Sequence, residues 1–86
     1  MSFMELLDFY ADWCGPCQMV KPVVEEFGKK HPELKITPVN IDDEEELAEQ
    51  YAVENIPCVV LLKDGKEAGR VVGAFSAKKL EKLLEA

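Results

Sequence analysis

Eighty-six residues lie near the lower limit for one hydrophobic core, so one domain over residues 1–86 is expected, with no second core beside it. Seventeen acids against ten bases, a net charge of −7, oppose a phosphate backbone at long range and argue against nucleic acid as a partner. No apolar run approaches the roughly 18 residues of a membrane span, which sets membrane insertion aside.

Taken in chain order, Glu5 to Tyr10 carries Leu6-Leu7 and Phe9-Tyr10, too short for a helix and continuous enough for a strand covered on both faces. Met19, Val20, Val23, Val24 and Phe27 then recur at helical spacing and predict a helix over about Cys14 to Lys30. Pro16 suits its first turn, Lys29-Lys30 suit its negative end, and His31-Pro32 stops it. Pro22, inside the helix, removes one backbone bond and should kink it. Leu34 to Asn40 reads as a second strand, parallel to the first because a helix crosses between them. Pro38 cannot donate to a ladder, which predicts that this strand lies at the sheet edge.

Asp43 with Glu46 resembles a capping box, with Asp in place of the usual Ser or Thr, and should open a short acidic helix over about Glu44 to Tyr51 that buries Leu47, Ala48 and Tyr51. The base-free acidic run from Asp42 to Glu54 reads mainly as a solvated face. Cys58 to Lys63 and Lys66 to Val72 form a hairpin around Asp64-Gly65, a pair that accepts the positive φ of a tight turn. Ser76 offers an N-cap to a closing helix with Leu80, Leu83 and Leu84 on its apolar stripe. The order βαβαββα predicts an α/β fold, a four-stranded mixed sheet flanked by helices.

The N-terminal residues show no basic segment or cleavage pattern, so a cytoplasmic location is the expectation. Disulfides seldom persist there as structural staples, and a close cysteine pair is then redox-active or metal-binding. Trp13-Cys14-Gly15-Pro16-Cys17 ends a predicted strand and opens a predicted helix, which puts the first sulfur beside unsatisfied N–H groups and the positive end of the helix dipole. Such a site favours thiolate over thiol, so Cys14 is the natural nucleophile. Two intervening residues, Gly15 and Pro16, bring Cys17 within disulfide reach, so it can resolve a mixed disulfide formed on Cys14. Zinc wants four ligands, and Cys58 and His31 are the only other soft candidates; no metal or bound cofactor is expected beyond the redox pair itself.

These residues resemble the thioredoxin family: Leu-Leu-Asp-Phe-Tyr-Ala-Asp before Trp-Cys-Gly-Pro-Cys, proline at 22, Asn55-Ile56-Pro57 before the hairpin, and Val72-Gly73-Ala74 before the last helix. The resemblance implies a minimal thioredoxin fold without the usual extra N-terminal strand and helix. It implies that Pro57 is cis and, with Ile56, forms a groove where a substrate segment pairs as an added strand. It places Trp13, Ile41, Val72 and Gly73 on the docking surface, with simple core packing as the other reading of Ile41 and Val72 and sheet packing as that of Trp13. Asp8 matches a buried carboxylate behind Cys17, where desolvation raises its pKa and lets it take the Cys17 proton through a water; the other reading is a polar residue satisfied near a strand end. Pro38 stands where many relatives have a lysine near that aspartate. Cys58 replaces the usual threonine after the cis proline, either as a small buried residue or as a redox-regulatory thiol.

The expected activity is thus that of a thiol–disulfide oxidoreductase and electron carrier, a monomer acting on disulfide-containing proteins and recharged by a thioredoxin-reductase-type donor. A glutathione-dependent glutaredoxin-like reductase, suggested by the short chain, and a non-catalytic binding module are the alternatives.

Overall fold

The computed structural model describes residues 3–85. Among them, β1 (Met4–Tyr10), α1 (Gly15–Lys30), β2 (Leu34–Asn40), α2 (Glu45–Gln50), β3 (Cys58–Lys63), β4 (Lys66–Val72) and α3 (Ala77–Leu84) follow in the predicted βαβαββα order. The sheet order is β2-β1-β3-β4. β1 and β2 are parallel, joined by the α1 crossover, while β3 is antiparallel to both β1 and β4. The sheet is therefore mixed. β2 lies at its edge, with Pro38 opposite Asp8, as a residue without an N–H requires.

Alternation along β1 divides the core between two faces. Leu6 packs with Val59, Leu61 and Val71 under Phe27 of α1 and under Leu80 and Leu83 of α3. Leu7 and Phe9 pack with Cys58, Val60 and Leu62 under Leu47, Ala48 and Tyr51 from α2 and its C-cap. Each fully buried large side chain contributes about 1.5–3 kcal/mol. The α1/α3 face holds more of these side chains, among them Phe27, Leu6, Leu61 and Leu80, while Phe9 anchors the other face, where the six-residue α2 leaves Leu47, Ala48 and Tyr51 only half-buried.

α1 runs through Pro22 as one element. The hairpin turn places Asp64 at φ 52° and Gly65 at φ 83°, the left-handed pair that a two-residue turn needs. One local expectation is corrected. Glu44, not Asp43, caps α2, and no side-chain hydrogen bond closes a capping box. Instead Asn40 C=O accepts both Asp43 N–H (3.1 Å) and Glu44 N–H (2.9 Å), so the strand's last carbonyl organises the turn. Ser76 stands at the α3 N-cap, but its carbonyl, not its hydroxyl, holds the first turn. None of the helices in residues 3–85 is long and apolar enough to cross a membrane.

Candidate active site

β1 and β2 end at the same side of the sheet, where β3 begins and β4 ends. The connecting loops therefore converge there, outside the carboxyl ends of the parallel strands. After β1 the chain turns tightly, with Cys14 N–H bonded to Ala11 C=O at 3.2 Å, and α1 starts at once. Cys14 is the N-cap, with extended backbone (φ −89°, ψ 107°), and its Sγ accepts the Cys17 N–H at 3.2 Å. A cap position normally carries an oxygen; here a sulfur receives the same helix-end donors, and no acidic side chain in the first turn competes with it. Pro16 lies in that turn, and Cys14 and Cys17 form a disulfide with Cα atoms 5.3 Å apart. Both are nearly covered, at 5% and 4% exposure, against Ala11, Tyr10, Ile41 and Ile56.

The surrounding loops hold one another. Ile41 N–H continues the β1/β2 ladder to Tyr10 C=O at 2.9 Å, which seats Ile41 half-buried beside the cysteines. Trp13 is 68% exposed, with its Nε1–H donated to Asp42 Oδ2 at 3.0 Å; Asp42 N–H in turn reaches Asn40 Oδ1 at 2.9 Å. An indole tethered at its edge and otherwise open presents its faces to solvent rather than packing on the sheet. The Ile56–Pro57 bond is cis, and Pro57 C=O accepts Gly73 N–H at 2.8 Å. Gly73 has φ 90°, a conformation that favours glycine. Val72, 54% exposed, is a surface residue rather than a core one. Trp13, in the turn before the disulfide, and Val72, at the end of β4, are thus exposed apolar side chains at this end of the sheet.

Asp8 lies at mid-strand on the α1 face of the sheet, opposite Val59 and Pro38. Its surroundings desolvate the carboxylate and push its pKa from 3.8 up to about 6. A cavity of about 240 Å³ is lined by both Asp8 and Cys17, together with Tyr10, Gln18, Lys21 and Pro38. That volume accommodates bridging water between polar walls. Cys17 and Lys21 are one helical turn apart, so α1 turns both toward the same cavity.

Cys58 lies on the other face. Paired with Phe9 across the sheet, it is fully buried among Leu7, Val39, Val60 and Leu62, and burial pushes its thiol pKa up. Sequence reading left its orientation open because a one-residue change of register reverses a strand's faces. It did not identify Asp42 or Lys21. Lys21 was accessible through its i+4 spacing from Cys17; Asp42 was not, because the bond to Trp13 spans 29 residues.

Known proteins agree with this geometry. The family model described as Thioredoxin matches residues 2–86. The thioredoxin of Chlamydia trachomatis is 46% identical over 83 residues, covering 96% of this chain and 81% of that protein. Fasciola hepatica thioredoxin superposes with a TM-score of 0.89 at 40% identity, covering 95% of this chain and 79% of that one. A mutant thioredoxin from Halobacterium salinarum gives 0.90 at 40% identity, over 96% and 73%. With the cysteine pair capping α1 and the cis proline preceding β3, this chain belongs to the thioredoxin family and is a thiol–disulfide oxidoreductase.

Proposed function

We propose that the reduced protein attacks target disulfides with Cys14, releases them with Cys17, and uses Asp8 as the base for the second step. The observation that carries this reading is the cavity shared by Asp8 and Cys17, one turn along α1 from its Cys14 cap. In the first step the Cys14 thiolate, favoured by the α1 N-terminus, bonds to one target sulfur while the other leaves as thiolate and takes a proton from solvent. In the second, Cys17 gives its proton through water to the Asp8 carboxylate and attacks Cys14 Sγ. The mixed disulfide breaks, the 14–17 disulfide forms, and the second target sulfur departs with its electron pair. Two electrons pass from the dithiol to the target.

Trp13 and Val72 supply apolar contact for the target, and Ile41, Ile56 and Gly73 border it. The exposed faces of Trp13 and the backbone at Pro57 suit an extended segment laid beside the disulfide. A monomer in a reducing compartment, recharged by a thioredoxin-reductase-type donor, completes the proposal. Cys58 takes no part, because a fully buried protonated thiol is neither nucleophilic nor accessible.

Cys17→Ser is expected to accumulate mixed disulfides with target proteins, while Cys14→Ser forms none. Non-reducing electrophoresis with mass mapping of the trapped sulfur reads both. Equal trapping by Cys14→Ser would reverse the roles of the two cysteines.

A further inference from the structure

The segment between α2 and β3 carries Ile56 and Pro57, and β4 anchors it at both ends. At its start Arg70, on β4, donates from Nη2 to the Tyr51 carbonyl at 2.8 Å. At its close Gly73, just past β4, donates its N–H to Pro57 C=O at 2.8 Å. Between the anchors Glu54 and Asn55 are exposed, whereas Ile56 packs both on the α2-face core and on the cysteine cluster. Where this segment sits therefore decides where the apolar wall beside the disulfide stands.

The exit from α2 calls for such an anchor. Ala52 N–H bonds to Glu49 C=O at 3.0 Å and Val53 N–H to Ala48 C=O at 2.9 Å, the two bonds of a Schellman motif. That motif turns on a left-handed residue, here Ala52 at φ 51°, a conformation that a residue with a Cβ resists. The Tyr51 carbonyl belongs to the orphan acceptors at the end of a six-residue helix with no basic residue in its last turn. Arg70 brings a cation to it from β4. Its own aim is set by Glu67, which accepts Nε–H at 2.7 Å and Nη2–H at 2.8 Å. Residues three apart face opposite ways in a regular strand, but Leu61 pairs with Gly69 and Leu62 with Glu67, so Ala68 is an extra residue in a bulge. The bulge puts Glu67 and Arg70, opposite Leu62 and Val60, on the same face.

We propose that Arg70 is a positioning residue for target binding: aimed by Glu67 across the β4 bulge, it pins the Tyr51 carbonyl and so holds Ile56 and the Pro57 backbone where a target segment lies beside the disulfide. The inference rests on that segment docking there. A loop already held in its binding conformation loses less freedom when a target arrives, so the effect falls on the binding of extended targets. The chemistry of Cys14 and Cys17, set at the start of α1, does not depend on it.

Stopped-flow mixing of the reduced protein with an extended peptide disulfide, and separately with hydroxyethyl disulfide, which is too small to fill a groove, tests this through Trp13 fluorescence. In Arg70→Met the half-saturating peptide concentration should rise about fivefold with the saturating rate unchanged. The rate with hydroxyethyl disulfide should stay at the wild-type value. Arg70→Lys, which keeps a cationic donor, should recover part of the loss. Amide exchange at Ala52 and Val53 should quicken in Arg70→Met while that of β1 and β3 holds. Should Arg70→Met fail to fold, Glu67→Gln carries the same test at smaller amplitude. An unmoved half-saturating concentration overturns the proposal, as does an equal slowing with both disulfides, which would mean damage at the cysteines. Ile56→Ala separates the two readings. If it leaves the half-saturating peptide concentration unchanged, the docking reading falls, whereas a rise there beside no change in Arg70→Met sinks the role of Arg70 alone.

Discussion

Replacing Asp8 by Asn tests this half-buried, desolvated carboxylate through stability, independently of catalysis. The native pKa of about 6 lies above the unfolded value of about 3.8, so the folded chain holds its proton longer than the unfolded chain does. Wild-type stability therefore falls as pH rises through that interval, where Asn has no proton to lose. At 1.36 kcal/mol per unit, the cost of the ionised carboxylate is about 0.5 kcal/mol at pH 4 and approaches about 3 kcal/mol at pH 8. Relative to wild type, Asp8→Asn should thus gain stability by up to about 2.5 kcal/mol between pH 4 and pH 8. With a urea m-value of about 1 kcal/mol/M for a chain this small, the midpoint difference should widen by about 2 M over that range. The assay is urea unfolding of the oxidised protein at unit pH intervals, followed by far-UV circular dichroism. A midpoint difference that stays flat from pH 4 to pH 8 would refute the reasoning, because only a solvated carboxylate has the same pKa folded and unfolded.

Two further outcomes follow from groups outside the cysteine pair. Cys58 should resist alkylation in the native oxidised protein and react only on unfolding, since its side chain is fully covered; labelling at the rate of a free model thiol, read by mass spectrometry, would contradict its placement. His31 closes α1 with Nε2 2.7 Å from Glu81 and Nδ1 3.4 Å from Glu33, and the Glu81 contact leads in raising its pKa above the usual value. The stability from this clamp is fully present below about pH 6.5 and is lost as pH rises through the raised native value; because the pair is solvent-screened, less than about 1 kcal/mol is expected. Glu81→Gln should weaken that pH dependence in urea melts, leaving the smaller part owed to Glu33, and an unchanged profile would refute it.

The two pH effects share a sign but have different causes. His31 gains a charge that its neighbours favour, while Asp8 loses a proton that its surroundings would have it keep. Both native pKa values are raised, so both contributions decline toward alkaline pH. The windows differ: the Asp8 effect falls between about 3.8 and 6, and the His31 effect begins near 6.5. A single melt series can separate them.

Local chemistry settled the element order of this chain. Short apolar runs, helical spacing and cap residues placed the strands and helices to within a residue or two, Asp64-Gly65 placed the hairpin turn, and Pro38 placed β2 at the edge, because each is a short-range preference written in adjacent residues. The position of Cys14 at the start of α1 and its pairing with Cys17 were equally legible, since a Cys-Gly-Pro-Cys segment between a strand and a helix sets both locally. The α2 cap was misread because the Asn40 carbonyl bonded the turn in place of a side chain, a choice between near-equal local partners. What only the tertiary structure decided depends on pairs far apart in sequence. Register across β1, β2 and β3 put Asp8 on the α1 face and Cys58 on the other, and the Trp13 to Asp42 bond spans 29 residues. The cavity joining Asp8, Cys17 and Lys21 exists only once α1 packs over β1. Periodicity tells which residues share a face of their own element; which faces meet, and what space remains between them, is set by close packing of the whole chain.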